Sequence, residues 1–299
     1  MPRSLFVLAF LFALTPCAAQ EAPPPLTEAD GWRSLWRAQL AGSQAAYSNW
    51  QEGGVNTLAV TASTAGTFER VLGAFKQKHD ARLAFGLLKQ DSLDVRKAED
   101  VIRYGVAVQY RGWGVLRPTL SLDARTQFAP GYDYAPEAEE YPTLPVVPGE
   151  RVKVSDFAAP AYLTQSLGLT YDPDRWYSAR LGFGVKETVV GIERLRPVYG
   201  NAPDQAVRVQ AGLDAEARIE RELVRNVFLK SRLGVFAAFN ELGNEAPDTL
   251  FENTLTMKVN DLLNVSLEVA TLFDRDVSAE VQVKEVLAVG VSVALLGGS

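Results

Sequence analysis

Residues 207–220 read Val-Arg-Val-Gln-Ala-Gly-Leu-Asp-Ala-Glu-Ala-Arg-Ile-Glu. Every odd position is apolar: Val207, Val209, Ala211, Leu213, Ala215, Ala217 and Ile219. The even positions carry Arg208, Gln210, Asp214, Glu216, Arg218 and Glu220, with Gly212 between them. A β-strand sends successive side chains to opposite faces, so this segment has one apolar and one charged face. Soluble strands usually hold five or six residues, whereas a tilted strand crossing a bilayer needs about ten.

The pattern recurs along the chain. At the C-terminal end, Val281, Val283, Leu287, Val289, Val291, Val293 and Leu295 share one face, and Gln282, Lys284, Gly290 and Ser292 the other. In 114–128, Leu116, Pro118, Leu120 and Leu122 alternate with Arg117, Thr119, Ser121 and Asp123. Pro118 removes a ladder donor and suggests a bulge there. About twelve such segments are expected, near 35–47, 55–70, 80–90, 99–111, 114–128, 159–171, 176–189, 207–221, 226–239, 249–260, 263–274 and 280–296; the count is even, as a single-chain bacterial barrel requires. Connections at 111–113, 172–175, 223–225 and 261–262 are tight, and those at 129–158 and 190–206 long. With a periplasmic N-terminus, the tight ones all fall on the periplasmic side, the usual asymmetry of such barrels. The connection at 71–79 is longer than its periplasmic place calls for. Aromatic girdles are expected at the strand ends: Tyr110, Trp113, Tyr171, Trp176 and Tyr177 on the periplasmic side, and Trp50, Phe128, Tyr132, Phe239, Phe251 and Phe273 on the outer side.

The N-terminus carries Arg3, then an apolar run from Leu5 to Leu14, then the small-residue site Cys17-Ala18-Ala19. This reads as a signal peptide, residues 1–19, with the mature chain starting at Gln20. Leu14-Thr15-Pro16-Cys17 loosely resembles a lipidation box, but Pro16 stands where a small residue is wanted. Residues 20–32, rich in Pro and Glu, read as a disordered periplasmic leader, and 33–299 as the barrel. The only cysteine, Cys17, leaves with the signal, so the mature chain has neither disulfides nor thiol chemistry. A net charge of −6 gives no reason to expect a nucleic-acid partner. After residue 20 no apolar run is long enough for a transmembrane helix, which leaves a closed barrel as the way to satisfy backbone groups in lipid. The competing soluble β-sandwich calls for shorter strands with turn signals every 8–12 residues or so. The fold class expected is therefore all-β: one antiparallel transmembrane barrel, with the bacterial outer membrane as its location and lipid as its partner.

Five short stretches add a family resemblance. Ser48-Asn49-Trp50-Gln51-Glu52-Gly53-Gly54-Val55-Asn56 resembles an S-N-W-x-x-G-G-x-N signature, and Thr126-Gln127-Phe128-Ala129-Pro130-Gly131-Tyr132 a T-Q-F-A-P-G-Y motif. Gly86-Leu87-Leu88-Lys89-Gln90, Ala159-Pro160-Ala161-Tyr162-Leu163 and Lys284-Glu285-Val286-Leu287-Ala288-Val289-Gly290 follow the same order. Together they resemble a bacterial outer-membrane β-barrel family of unknown function. The resemblance implies a barrel of about twelve strands and no particular activity. One departure is the ending Leu295-Leu296-Gly297-Gly298-Ser299, where such barrels commonly finish on an aromatic residue.

Chemistry has few candidates. The single histidine, His79, falls in the expected 71–79 connection and reads as a solvated loop residue. It offers no base for a serine nucleophile, which argues against an outer-membrane phospholipase or a His-dependent protease. No transition-metal ligand set is present, and no cofactor is expected. Asp133, Glu137, Glu139, Glu140 and Glu150 make one loop acidic; calcium takes such oxygens, but a loop charge run is ordinarily only solvated.

The inward face is the stronger candidate. Its basic members would be Arg103, Arg117, Arg125, Arg180, Lys186, Arg208, Arg218, Lys230, Arg232, Lys258 and Lys284. Its acidic members would be Asp123, Asp214, Glu216, Glu220, Glu252 and Glu268. They read either as a pore lining that selects by charge or as an ion-pair network that fills the lumen. About eight strands enclose only side chains and sixteen leave a channel, so twelve with long charged side chains favours a narrow or plugged lumen. Asp214, Glu216 and Arg218 are expected to pair with Lys230 and Arg232 on the next strand. Two functions stay open: a narrow conduit for small polar solutes, and a closed barrel whose outer loops bind a partner. An enzyme lacks the residues.

Overall fold

The computed structural model describes residues 31–297 apart from 48–54, 142, 174, 241–245 and 279. The expected signal peptide and most of the expected leader lie outside these residues, as do Ser48, Asn49, Trp50, Gly53 and Gly54 of the first motif. The strands are β1 (Trp32–Ala45), β2 (Thr57–Leu72), β3 (Phe75–Gln90), β4 (Arg96–Tyr110), β5 (Leu116–Thr126), β6 (Gly131–Asp133), β7 (Val152–Ser155), β8 (Ala161–Tyr171), β9 (Tyr177–Val189), β10 (Val207–Val224), β11 (Val227–Ala238), β12 (Asp248–Lys258), β13 (Leu263–Phe273) and β14 (Gln282–Gly297). Twelve of them close into one antiparallel barrel, β1 pairing with β14; β6 and β7 form a separate two-stranded sheet. Closure pairs every strand edge, which is what allows a sheet to cross lipid. Among the described residues no helix is long and apolar enough to cross a membrane.

The alternation read from 207–220 is the alternation observed. Along β10, Val207, Val209, Ala211 and Leu213 are exposed, while Gln210, Gly212 and Asp214 are buried. On β14, Val283 is 67 % and Leu287 62 % exposed; on β9, Phe183 is 68 %. Apolar side chains thus face outward around the wall and charges face inward, the reverse of a soluble protein. That is the physical signature of an outer-membrane barrel. Aromatic pairs mark the periplasmic end of the wall, Phe75 with Tyr110 and Trp176 with Tyr177, and Phe239 just past β11 packs down onto Phe183 in mid-β9.

Three expectations need correction. The β2–β3 connection is not 71–79 but the two-residue turn Gly73-Ala74, with Gly73 at φ +55°. His79 therefore lies on β3, in register with Phe68 and Val106. The first half of β3 escapes the alternation because Gln77 and His79 face outward near the periplasmic rim, where headgroups tolerate polar side chains. Secondly, Pro118 makes no bulge. It pairs in register with Leu169, and the ladder to β4 ends at Thr119, so no hydrogen bond is asked of it. Thirdly, Tyr132 does not join the outer girdle; it sits on β6 with Arg151 over its ring.

Two features shape the interior. Gly168 on β8 faces Gly182 on β9, and a Cβ on Gly168 would stand 2.2 Å from the Leu181 carbonyl oxygen. Glycines at this pair let the two backbones approach more closely than any side chain would allow. The long connections are also folded. The segments 127–160, 190–206 and 274–281 meet in an apolar cluster of Leu144, Val152, Ala159, Val190, Leu195 and Tyr199, with Val277 packed against it. Leu195 and Val190 are fully buried there. These segments form a cap with its own core over the outer mouth.

Substituting Leu213→Arg, on the lipid face, is expected to cost roughly 2–4 kcal/mol in a urea titration of the lipid-embedded barrel. Thr164→Arg, on the inward face, is expected to cost less. Equal costs would contradict the assigned orientation.

Candidate functional site: a charged lumen beneath a cap

The inward charges converge in layers. Midway along the barrel, Arg218 donates Nε to Glu216 Oε1 at 2.7 Å and Nη1 to Asp80 Oδ2 on β3, also at 2.7 Å. Arg232 on β11 reaches the same Glu216 at 2.6 Å and Asp123 on β5 at 3.1 Å. Arg103 on β4 pairs with Asp123 at 3.3 Å and with Glu252 on β12 at 2.6 Å. Strands β4 and β12 are diametrically opposite, with β5, β8, β9, β10 and β11 between them one way and β3, β2, β1, β14 and β13 the other. The Arg103–Glu252 bridge therefore spans the lumen. Beside it, Arg82 binds Glu268 at 2.9 Å and Glu99 at 3.4 Å, and Lys284 bridges the same two carboxylates.

Removing so many charges from bulk water is costly, and it is tolerated because each is held by more than one opposite charge. Glu216 shows the logic. The register sets Arg218 directly opposite Arg232, two like charges on adjacent strands. Glu216 lies between them, and Asp80 and Asp123 complete the neutralisation from the far wall.

Further layers lie above and below. Towards the periplasm, Arg117 and Lys76 share Asp172 at 2.9 and 3.4 Å. Arg180 pairs with Asp214 at 2.7 Å and donates to the Ser121 and Ser166 hydroxyls. At the outer end, Lys186 is held by Asp248 at 2.6 Å and Asp274 at 3.0 Å, and Arg208 pairs with Asp276. Lys258 lies over the Phe228 ring at the periplasmic end of β12. Arg125 lines the lumen near the outer end of β5.

The expected pairing is thus right for Glu216–Arg232 and needs revision elsewhere. Lys230 pairs with Glu220 at the exposed periplasmic ends of β10 and β11. Asp214 turns to Arg180 on β9, and Arg218 looks across the lumen rather than along the hairpin. Several partners were not anticipated: Asp80, Arg82, Glu99, Asp172, Asp248, Asp274 and Asp276. Asp80 and Arg82 share parity with the inward Ala84, which was a usable signal. Asp172, Asp274 and Asp276 stand in connections, where parity says nothing.

A cavity of about 790 Å³ runs along this lumen. Asp80, Asp123, Glu216, Arg218 and Arg232 form part of its wall, whereas Arg82, Arg103, Glu252, Glu268 and Lys284 lie outside it. The network therefore fills the side nearest β12–β14 and leaves space along β5, β8, β9 and β10. Ser155, Pro160, Tyr199 and Val277 of the cap line the outer end.

Two of the motifs, Thr126–Tyr132 and Ala159–Leu163, meet at this cap, while Gly86–Gln90 and Lys284–Gly290 lie on β3 and β14. Asp100 accepts from the Phe128 and Ala129 amides at 2.7 and 3.0 Å, and Lys97 joins Asp100 to the Ala129 carbonyl. Thr126 donates to the Pro160 carbonyl and Gln127 to that of Asp156. A Cβ on Gly131 would strike Ser155 Oγ, so glycine permits the β6–β7 contact. Pro130 is exposed beside it. Asn56 binds Asp91 across the β2–β3 hairpin mouth. In the acidic loop, Asp133 is occupied by the Tyr141 hydroxyl and the Ala135 amide. Burial and that carboxylate push the Tyr141 hydroxyl up to about 12. No cluster of three metal-ligating side chains occurs among the described residues. His79 is on the outer wall, its Nδ1 2.7 Å from the Tyr104 hydroxyl and its ring against Trp32.

Residues 43–132 match the family described as "Protein of unknown function (DUF3078)". The match takes in the Ser48–Asn56, Gly86–Gln90 and Thr126–Tyr132 motifs and stops before the other two. No curated protein matches the chain. Among solved structures, an outer membrane channel from Pseudomonas putida F1 aligns with a TM-score of 0.37 and 11% identity, covering 91% of this chain and 98% of that one. The translocator domain of the autotransporter NalP from Neisseria meningitidis aligns with a TM-score of 0.35 and 12% identity, covering 88% of each. The toluene transporter TodX from Pseudomonas putida aligns with a TM-score of 0.31 and 10% identity, covering 88% of this chain and 89% of that one.

Glu216→Gln, which leaves Arg218 and Arg232 facing each other, is expected to lower unfolding stability by about 3 kcal/mol or more. Lys230→Ala, at an exposed pair, is expected to cost less than about 1 kcal/mol. Urea titrations of the two variants in the same lipid check the contrast.

Proposed function

We propose that this barrel is a restricted conduit for small polar or charged solutes, throttled midway by the ion-pair network and covered outside by the cap. One observation carries the reading: charged side chains meet across the full width of the lumen at Arg103–Glu252 while a cavity continues along one wall beside them. A general porin keeps an open aqueous bore, and a barrel filled by side chains keeps none. This interior is between the two. The docking alternative draws on the buried apolar core of the cap, which gives the outer loops a fixed shape.

Planar-bilayer recording separates the readings. The wild-type barrel is expected to show small, infrequent conductance steps. Replacing Glu216, Arg218 and Arg232 together with alanine is expected to enlarge them several-fold, while each single replacement mainly lowers stability. Large, steady, weakly selective wild-type currents would refute throttling by the network. Silence from both wild type and triple variant would favour the docking barrel.

A further inference from the structure

Arg125 differs from the other basic residues deep in the lumen. Arg82, Arg103, Arg180, Arg218, Arg232, Lys186 and Lys284 each hold at least one carboxylate. Arg125 has no hydrogen bond or ion pair among the described residues, although it faces the cavity. Its neighbour across β4 is another cation, Arg103, already committed to Asp123 and Glu252. Its neighbour across β8 is Tyr162, on the same cavity wall, whose hydroxyl also has no partner among the described residues. The Tyr162 ring is fixed from the other side by Lys186, 5.7 Å above it. A guanidinium withdrawn from bulk water is costly unless an anion meets it. The carboxylates around it are held by other cations: Asp248 and Asp274 by Lys186, and Glu252 by Arg103 and Arg232.

The remaining wall here is of a different kind. Phe236, Leu250 and Leu272, at the outer ends of β11, β12 and β13, line the same cavity, and Val277 of the cap joins them. Leu250 and Leu272 are register partners, so they present one continuous apolar surface. The outer chamber thus offers a bidentate cation and a hydroxyl on one side and an apolar wall on the other, under the cap.

We propose that this chamber is a binding site for a small amphipathic monocarboxylate, its carboxylate on Arg125 and Tyr162 and its tail against Phe236, Leu250 and Leu272. A single guanidinium fork matches one carboxylate and its one charge. A phosphate dianion calls for a second free cation, and among the described residues the chamber offers none. The proposal rests on the reading that the lumen admits small solutes, and it names their class.

The test is calorimetric titration of the full-length barrel in detergent micelles with hexanoate, hexanamide, acetate and inorganic phosphate. Hexanoate is expected to bind at least about tenfold more tightly than hexanamide, which lacks the charge, and than acetate, which lacks the tail. Arg125→Gln is expected to remove about tenfold or more of hexanoate affinity, Tyr162→Phe several-fold, and Arg125→Lys less than Arg125→Gln. Because Arg125 holds no carboxylate directly in the empty barrel, Arg125→Gln is also expected to leave resistance to urea nearly unchanged or raised, unlike Glu216→Gln. Undiminished hexanoate binding in Arg125→Gln, or equal binding of hexanamide, would overturn the proposal. Tighter binding of phosphate than of hexanoate would overturn it in favour of an inorganic anion site. Equilibrium binding needs no current: a barrel that binds hexanoate and never conducts keeps this site and loses the conduit, and one that conducts without binding does the reverse.

Discussion

Charges inside a closed wall must find opposite charges on other strands. That requirement governs the interior of this barrel. The outward side chains are apolar because they meet lipid, so the lumen holds most of the charge the wall carries. With both signs present and little bulk water to solvate them, the side chains neutralise one another across the bore. Arg103 reaches Glu252 on the opposite wall, and Arg218 reaches Asp80. Coulomb attraction is stronger at such a site than at a surface, and so is the penalty for breaking it. The same bridges that stabilise the wall set how much of the bore stays open.

Much of the architecture was legible in the sequence, and the reason is geometric. Side-chain alternation has period two, so parity alone assigns each residue of β10 or β14 to lipid or lumen. It fails where the outside is not hydrocarbon. Gln77 and His79 face outward at headgroup depth, alternation disappears, and the start of β3 is lost with the Gly73-Ala74 turn. Parity also says nothing about what stands opposite. That Arg218 meets Asp80 depends on strand order and tilt after closure, and neither is written within either strand. The free state of Arg125 was invisible for the same reason: its loneliness is a property of the far wall.

The motifs raise a separate point. Thr126, Gln127, Phe128, Gly131 and Pro160 read as a signature, yet their contacts hold the cap to the rim through Asp100, Lys97 and Asp156. They build a lid. A cap with fully buried Leu195 and Val190 is a folded body, so the outer mouth of this barrel has a fixed shape.

The seam between β1 and β14 joins segments from the two ends of the chain, Leu40 in register with Val291. Such a contact carries the largest loop-closure cost in the molecule, and the barrel cannot shut until the last strand has been delivered. Bridges such as Arg103–Glu252 and Arg82–Glu268 connect walls that face each other only after that step. They therefore contribute little to the rate of assembly and much to the barrier against opening. In this barrel the lumen charges work as a latch, closed last and released first, and its grip is read in how slowly the finished protein comes apart.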